Sequence, residues 1–287
     1  MKASIIIPTK NGGERFERTL RAIFANTLSG GFEVIVIDSG STDGTLNAAK
    51  GYPVKLYEIP PKEFGHGKVR NHGARLSNGE FLVFLSQDAI PASNNWLHSL
   101  TSTLDNDTDI AGVYGRQLPD GENPMETFFL LNRYGEKYEV KTLKPGSGNP
   151  SLRDIFFSNV NSAIRRSVWD DIQLNESINM SEDQEWSKRA LLAGHSIAYN
   201  PDATVYHSHN YDIASIFKRN YESGYSLRGL VKNKAGAEIK GAVSYVFREL
   251  VYITKRHGIA KAPYAMIYEL SRHIGFAVGS IMAGLKK

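Results

Sequence analysis

The sequence predicts an α/β fold in which a mostly parallel sheet is flanked by helices. Along the first half of its 287 residues, short β-branched runs alternate with amphipathic stretches, which is the pattern of consecutive βαβ units. The predicted strands cover residues 4–7, 33–37, 54–59, 80–85 and 110–114. The helices predicted between them cover residues 16–26, 45–50, 69–76 and 96–104. An apolar content of 41% is enough for a sizeable core, so we expect a globular chain.

The second half of the chain has a different pattern. Prolines and glycines interrupt residues 115–160, which favours a long insertion that faces a substrate. Residues 212–287 carry almost no strand signal and predict several helices. We therefore expect one α/β domain over residues 1–211 and a helical C-terminal region over residues 212–287.

Charge is distributed unevenly between these two regions. Residues 212–287 contain thirteen Lys and Arg against five Asp and Glu, whereas the rest contains twenty-one against twenty-five. The C-terminal region therefore has a net charge of +8 on a mildly acidic body. A basic region of this kind predicts an anionic partner, either nucleic acid or a membrane surface.

Several classes of function are excluded or disfavoured by residue content. The chain has no cysteine, which excludes disulfides, thiolate zinc sites and cysteine nucleophiles. The first apolar run, residues 4–7, is too short for a signal peptide, so we expect a cytoplasmic protein. The loops after the first two strands lack the Walker A and GxGxxG patterns, which disfavours ATP-dependent and nicotinamide enzymes.

Polar loops follow the predicted strands at the edge where ligands bind in such sheets. Residues 8–13 and 38–45 offer backbone N–H groups and hydroxyls to a nucleotide, although either loop alone would indicate an ordinary turn. Asp88 follows the fourth strand, where a carboxylate could hold a divalent cation or belong to a surface turn.

A helix is predicted over residues 181–193, with Ser181 as its N-cap and Gly194 as its C′ residue. Acids fill its first turn, where they ordinarily favour the helix dipole. His207 and His209 follow a strand-like segment and point the same way along it, although a single histidine is more often a structural hydrogen-bonding group.

Six segments together resemble a known family of enzymes. Residues 4–11, 36–45 and 84–88 resemble the opening of a family 2 glycosyltransferase. The segments that resemble the rhamnosyltransferase branch of this family are residues 64–74, 114–119 and 157–166. The resemblance extends from the first residues to Tyr211 and implies a GT-A type fold. In that fold, a nucleotide-binding mixed sheet flanked by helices is merged with an acceptor-binding half.

The resemblance also implies roles for individual residues. Those implied to bind the nucleotide sugar are Pro8, Thr9, Asn11, Asp38, Ser39, Ser41, Gly67, Arg70, Gln87 and Asp88. Asp88 matches the last acid of the Asp-X-Asp metal motif, but Ser86 replaces the first acid. Ser39 stands where many relatives have an acid, which leaves the contact to the base open. His207 would complete a site for Mg²⁺ or Mn²⁺, with His209 as the alternate ligand.

The same resemblance implies the reaction. Asp183 aligns with the general base of an inverting transfer, and Glu182 precedes it as a secondary or acceptor-site residue. Trp186 is either a platform for an acceptor sugar or a buried core residue. The implied activity is metal-dependent transfer of L-rhamnose from dTDP-L-rhamnose to a growing or lipid-linked cell-surface polysaccharide. The alternatives are another hexose donor, or a non-catalytic glycan-binding relative, which the missing acid at Ser86 would fit.

The basic C-terminal region carries no nucleic-acid-binding motif, so its charge favours a membrane surface. An apolar helix face is predicted from Val243, Phe247, Leu250, Val251 and Thr254. The accompanying basic residues are Arg248, Lys255, Arg256, Lys261, Arg272, Lys286 and Lys287. The longest uncharged run, residues 274–285, is shorter than the roughly 20 residues of a membrane-spanning helix. We therefore predict peripheral attachment to the inner face of the plasma membrane, with packing on the catalytic domain or homodimer formation as the alternative.

Overall fold

The computed structural model of the protein describes residues 1–121, 123–143, 150–230 and 235–285. Its strands belong to one nine-stranded sheet. They are β1 (Ala3–Thr9), β2 (Phe32–Asp38), β3 (Lys55–Glu58), β4 (Phe81–Leu85), β5 (Ile90–Pro91), β6 (Ile110–Leu118), β7 (Glu139–Lys141), β8 (Asn161–Arg165) and β9 (Ser196–Tyr206).

Ten α-helices accompany this sheet within the described residues. They are α1 (Gly13–Phe24), α2 (Thr45–Lys50), α3 (His66–Arg75), α4 (Trp96–Asn106), α5 (Pro124–Arg133), α6 (Arg166–Asp171), α7 (Glu182–Leu192), α8 (Ile213–Leu227), α9 (Ala235–His257) and α10 (Ala262–Leu285). The five strands and four helices predicted in the first half are therefore confirmed, with small differences at their ends.

The sheet is mixed, and only its first part is parallel. Its strand order is β3-β2-β1-β4-β8-β6-β9-β5, with β7 also paired to β9. Strands β1 to β4 are parallel, whereas β8 is antiparallel to both β4 and β6. The mixed sheet that the family resemblance implies is therefore confirmed. The alternation of strands and helices predicts only its parallel part, because the later strands enter by non-local pairing that alternation cannot reveal. The apolar runs of β1, β2 and β4 are buried, as expected for strands covered on both faces.

The region between residues 115 and 160 contains regular structure that the sequence did not predict. Strand β6 continues through it to Leu118, and β7 lies further along. The side chain of Asn123 caps α5 by accepting hydrogen bonds from the N–H groups of Met125 and Glu126, at 3.0 and 3.2 Å. Residues 144–149, which include Pro145, Gly146 and Gly148, lie outside the described residues.

Helix α7 was predicted well, except for its cap. Ser181 occupies the N-cap position, but its φ of 66° is left-handed and its side chain makes no capping hydrogen bond. At the other end, Gly194 has a φ of +94°, which is the conformation predicted for the C′ glycine.

The chain divides into two units. The first consists of residues 1–117, 135–147 and 153–207, and the second of residues 118–134, 148–152 and 208–287. The predicted boundary near residue 212 lies close to where the C-terminal part of the second unit begins. That unit also includes α5, which was not predicted from the sequence.

The second unit is a helical bundle in which α8 and α10 are in close contact. A Cβ atom added to Gly279 would lie 2.0 Å from the carbonyl oxygen of Tyr221, and one added to Gly275 would lie 2.5 Å from that of Phe217. These glycines therefore allow the two helix backbones to touch. Among the described helices, none is both long and apolar enough to cross a membrane.

Candidate functional site

The loops after β1 and β2 are held together by hydrogen bonds between them. The hydroxyl of Ser41 accepts from the N–H of Asn11 at 2.8 Å, and the amide oxygen of Asn11 accepts from the N–H of Thr42 at 2.8 Å. One carboxylate oxygen of Asp38 accepts from the N–H groups of Gly40 and Ser41, at 2.9 and 2.8 Å. The two parallel strands end side by side, so the sheet itself brings these loops into contact.

The loop after β4 joins the same network through Gln87. Its amide oxygen accepts from the hydroxyl of Thr9 at 2.6 Å and from the N–H of Lys10 at 2.9 Å. Its amide nitrogen donates back to the carbonyl oxygen of Lys10 at 3.2 Å. The carboxyl ends of β2, β1 and β4 therefore form one polar surface joined by hydrogen bonds.

Asp88, the next residue, faces a histidine at the end of β9. The Nε2 atom of His207 lies 3.5 Å from Oδ1 of Asp88. The other ring nitrogen, Nδ1, lies 3.0 Å from the side-chain oxygen of Gln117. His207 is buried, whereas Asp88 is partly exposed. A carboxylate oxygen and an imidazole nitrogen at this separation are a suitable donor pair for a divalent cation.

His209, the predicted alternate ligand, follows two residues after His207 and belongs to the second unit. Ser86 occupies the position of the missing acid and donates its N–H to the carbonyl oxygen of Val160 at 3.0 Å. That bond holds the loop after β4 against the segment that precedes β8.

The carboxylate of Asp183 lies at the amino end of α7 and is held by two backbone donors. Its Oδ2 accepts from the N–H of Asn159 at 3.1 Å, and its Oδ1 accepts from the N–H of Gln184 at 2.8 Å. Removal of water by the surrounding protein raises the pKa of Asp183 to about 7, and the negative charge of Glu182 acts in the same direction. The side chain remains partly exposed, so a substrate can reach it. These properties suit a general base that works near neutral pH.

Glu182 points away from this surface and forms a buried ion pair with Arg70, at 3.0 Å. The amide nitrogen of Asn159 also donates to Glu182 at 3.4 Å. Arg70 is only 6% exposed, so it is not a solvated surface residue. Its charge lies next to Glu182 and acts on Asp183.

Several other predicted ligand contacts are buried. Asp38 and Ser39 are covered by their own loop, and Thr9 is also buried. Gly67 packs against the backbone of Asn175, where a Cβ atom would lie 2.6 Å from the carbonyl oxygen. These residues therefore shape the loops and the start of α3. The partly or fully exposed members of the predicted set are Pro8, Asn11, Ser41, Gln87 and Asp88.

Trp186 is a core residue. It is fully buried, and its indole N–H donates to the carbonyl oxygen of Ile172 at 2.8 Å. The alternative of a platform for an acceptor sugar is wrong, because the ring packs against Phe157 inside the protein.

Sequence reasoning did not assign Gln117, Ser158 and Asn159. Gln117 and Ser158 are linked by a hydrogen bond of 3.1 Å, and Asn159 donates its N–H to Asp183. All three lie in segments 114–119 and 157–166, which resemble the rhamnosyltransferase branch of the family. That resemblance was the sequence signal for these positions, and it assigned no role to any of the three residues.

Comparison with known proteins identifies the family of this chain. The family model for glycosyl transferase family 2 matches residues 4–172. The chain is 32% identical to O-antigen chain rhamnosyltransferase WbaN of Salmonella anatum, over 96% of this chain and 88% of that protein. It is 30% identical to O-antigen chain rhamnosyltransferase RfbN of Salmonella typhimurium, over 97% of this chain and 90% of that protein.

Two solved structures share the fold at low sequence identity. The mannosyltransferase PcManGT from Pyrobaculum calidifontis, solved in complex with GDP-Man and Mn²⁺, aligns over all of this chain and 88% of its own, with a TM-score of 0.65 and 16% identity. Residues 1–349 of S. aureus TarS, solved in complex with UDP-GlcNAc, align over all of this chain and 93% of their own, with a TM-score of 0.57 and 16% identity. These likenesses confirm the predicted GT-A type fold.

The coupling between Glu182 and Asp183 can be tested with one isosteric substitution. We expect Glu182→Gln to lower the pKa of Asp183, because it removes the neighbouring negative charge and leaves Arg70 unpaired. The pKa is measured by ¹³C NMR titration of the labelled aspartate carboxyl group. Glu185→Gln is the matched control, since Glu185 lies in the same turn but pairs with Arg189 at 2.8 Å. Equal shifts in both variants, or no shift in Glu182→Gln, would contradict the coupling.

Proposed function

We propose that this chain, which belongs to glycosyl transferase family 2 and is a glycosyltransferase, transfers L-rhamnose from dTDP-L-rhamnose to a growing cell-surface polysaccharide. The observation that carries the catalytic part is the pairing of a cation-binding donor set, Asp88 and His207, with a carboxylate of raised pKa, Asp183. Both groups are attached to the same segment before β8, Asp183 through Asn159 and His207 through Gln117 and Ser158. The rhamnose part is supported by similarity to two O-antigen rhamnosyltransferases over nearly the whole chain.

In the proposed mechanism, the loops after β1 and β2 bind the nucleoside of the donor. Asn11 and Ser41 lie at their exposed edge, whereas Asp38 fixes the shape of the second loop. Asp88 and His207 would hold Mg²⁺ or Mn²⁺, with His209 as the alternate ligand, and the cation supplies positive charge to the diphosphate. Hydrogen bonds between the two loops hold these residues in one arrangement, which orients the donor for reaction.

Transfer is a single displacement that inverts the anomeric carbon. The acceptor hydroxyl attacks that carbon, the bond from the carbon to the diphosphate oxygen breaks, and the diphosphate leaves with the electron pair. Asp183 takes the hydroxyl proton as the new bond forms. The Asn159 and Gln184 N–H groups orient its carboxylate, and the raised pKa gives it enough basicity to accept a proton near neutral pH.

We also propose that the C-terminal helices attach the enzyme to an anionic membrane surface, as a protein of the cytoplasmic face. Between residues 241 and 285, the acids Glu249 and Glu269 are buried. The exposed Lys and Arg side chains of that segment are Arg248, Lys255, Arg256 and Lys261. The exposed large apolar side chains of α10 are Tyr264, Met266, Ile267, Leu270, Ile274, Ile281, Met282 and Leu285.

Exposed apolar and basic groups without exposed acids are typical of a surface that binds anionic lipid. A second copy of the chain would bring basic groups against basic groups, which favours lipid as the partner. One of the predicted basic groups differs from expectation, because Arg272 is only slightly exposed and lies 3.1 Å from Glu269, so it faces the bundle. Lys286 and Lys287 lie outside the described residues.

The donor is tested by measuring turnover with purified protein, Mn²⁺ and several nucleotide sugars. We expect dTDP-L-rhamnose to be consumed faster than UDP-glucose, UDP-galactose or GDP-mannose, because two relatives that align over nearly the whole chain are O-antigen rhamnosyltransferases. Faster consumption of a UDP-hexose would remove the rhamnose assignment and leave the family assignment intact. If every donor stabilised the protein against heat but none was consumed, the non-catalytic alternative would be correct.

The base is tested with Asp183→Asn. We expect donor affinity to remain unchanged and transfer to fall by roughly a hundredfold or more, the usual scale for loss of a general base. In the unsubstituted enzyme, transfer should rise with pH through about 7, because Asp183 must lose its proton before it can accept another. Near-normal turnover by Asp183→Asn would move the role elsewhere, with Glu182 the next candidate.

Membrane attachment is tested by flotation of the full chain with anionic vesicles. Each basic group near such a surface contributes about 1 kcal/mol at most, so the double variant Lys255→Glu, Arg256→Glu should bind roughly tenfold more weakly or worse. The control is Lys50→Glu, Lys62→Glu, which makes the same change in charge at exposed residues of the first unit. If both double variants float like the unsubstituted chain, or if that chain does not float at low salt, the attachment is wrong.

A further inference from the structure

The two ring nitrogens of His207 have different surroundings. Nδ1 lies 3.0 Å from the side-chain oxygen of Gln117, and Nε2 lies 3.5 Å from Oδ1 of Asp88. The ring is buried, and Gln117 is only 4% exposed. In the neutral imidazole, one nitrogen carries the proton and the other carries the lone pair that can bind a metal. The partners of the ring therefore decide which nitrogen can act as a ligand.

The Gln117 amide makes a second hydrogen bond on its other side. Its Nε2 donates to the hydroxyl oxygen of Ser158 at 3.1 Å, and its oxygen is directed at His207. An amide oxygen accepts and cannot donate, so the proton of the neutral ring is held on Nδ1. The lone pair of Nε2 is then directed at the carboxylate of Asp88.

This arrangement extends across neighbouring strands of the sheet. Ser158 precedes β8, Gln117 lies on β6 and His207 follows β9, and these strands are adjacent in the order β8-β6-β9. Gly115, two residues before Gln117, allows β6 and β9 to approach, since a Cβ atom there would lie 2.0 Å from the carbonyl oxygen of Ala203. The contact between Gln117 and His207 is therefore built into the sheet.

We propose that Gln117 is a positioning residue that holds His207 in its Nδ1-protonated form and so prepares Nε2 to bind a divalent cation together with Asp88. The inference rests on the proposed function in taking Asp88 and His207 as the cation ligands. A hydrogen bond from the second ring nitrogen to a protein acceptor is the usual way in which a metal-binding histidine is oriented.

The test uses the full-length chain and two substitutions at one position. Gln117→Leu has a similar size but no acceptor, whereas Gln117→Glu keeps an acceptor oxygen for Nδ1–H. The tautomer of His207 is measured without metal by ¹⁵N–¹H correlation NMR of the imidazole, at a pH where the ring is neutral. The signals are assigned with His207→Gln, and thermal unfolding verifies that each variant folds.

We expect the unsubstituted protein and Gln117→Glu to hold the proton on Nδ1, and Gln117→Leu to lose this preference. The affinity for Mn²⁺ alone, measured by electron paramagnetic resonance, should fall by about 10- to 100-fold in Gln117→Leu and be largely retained in Gln117→Glu. An Nε2-protonated ring in the unsubstituted protein would overturn the proposal, as would unchanged Mn²⁺ affinity in Gln117→Leu. If the tautomer result holds but no variant binds Mn²⁺, the proposed metal site fails and the positioning of the ring by Gln117 stands.

Discussion

The antiparallel pairing of β4 with β8 is the constraint on which the rest of the site depends. It places the amino end of β8 beside the carboxyl end of β4, with Leu85 opposite Asn161. The segment before β8 therefore meets the loop that carries Asp88. Within that segment, Ser158 supports the His207 ligand through Gln117, and the next residue, Asn159, holds Asp183. Two consecutive residues thus connect the proposed cation ligands to the proposed base.

The electrostatic environment of Asp183, the proposed base, depends on two buried residues, Glu182 and Arg70. Glu182 and Arg70 form a buried pair, and a buried pair of this kind is costly to desolvate unless further hydrogen bonds support it. Asn159 provides such a bond to Glu182 and also donates its backbone N–H to Asp183. The ion pair joins α3 to α7, and the negative charge of Glu182 also raises the pKa of the neighbouring Asp183 carboxyl group. The helix dipole alone would explain why acids occupy the first turn of α7. Glu182 and Asp183 nevertheless have separate roles, since Glu182 pairs with Arg70 and Asp183 is the proposed base.

The sequence predicts the first part of this structure well, because strands β1 to β4 and their helices are local patterns of apolar residues. The antiparallel strands are not local, and their order could not be predicted from alternation. The same limit applies to side chains. The local sequence does not indicate that Arg70 is buried, because its partner Glu182 lies 112 residues away. Gln117 likewise cannot be distinguished by sequence from any other polar residue near a strand end. Resemblance to a family indicated Asp88, Asp183 and His207, but the groups that orient them required the fold.

Asp88 and His207 are proposed to hold the cation that neutralises a nucleotide diphosphate bound by the loops after β1 and β2. The most direct test of this site is a crystal structure of the protein with dTDP and Mn²⁺, recorded at a wavelength where manganese scatters anomalously. We expect an anomalous peak within about 2.0–2.4 Å of an Asp88 carboxylate oxygen and of Nε2 of His207. We also expect the diphosphate oxygens on the open side of that ion. A bound nucleotide whose metal lies elsewhere, or a peak that His207 does not contact, would contradict the proposed cation site.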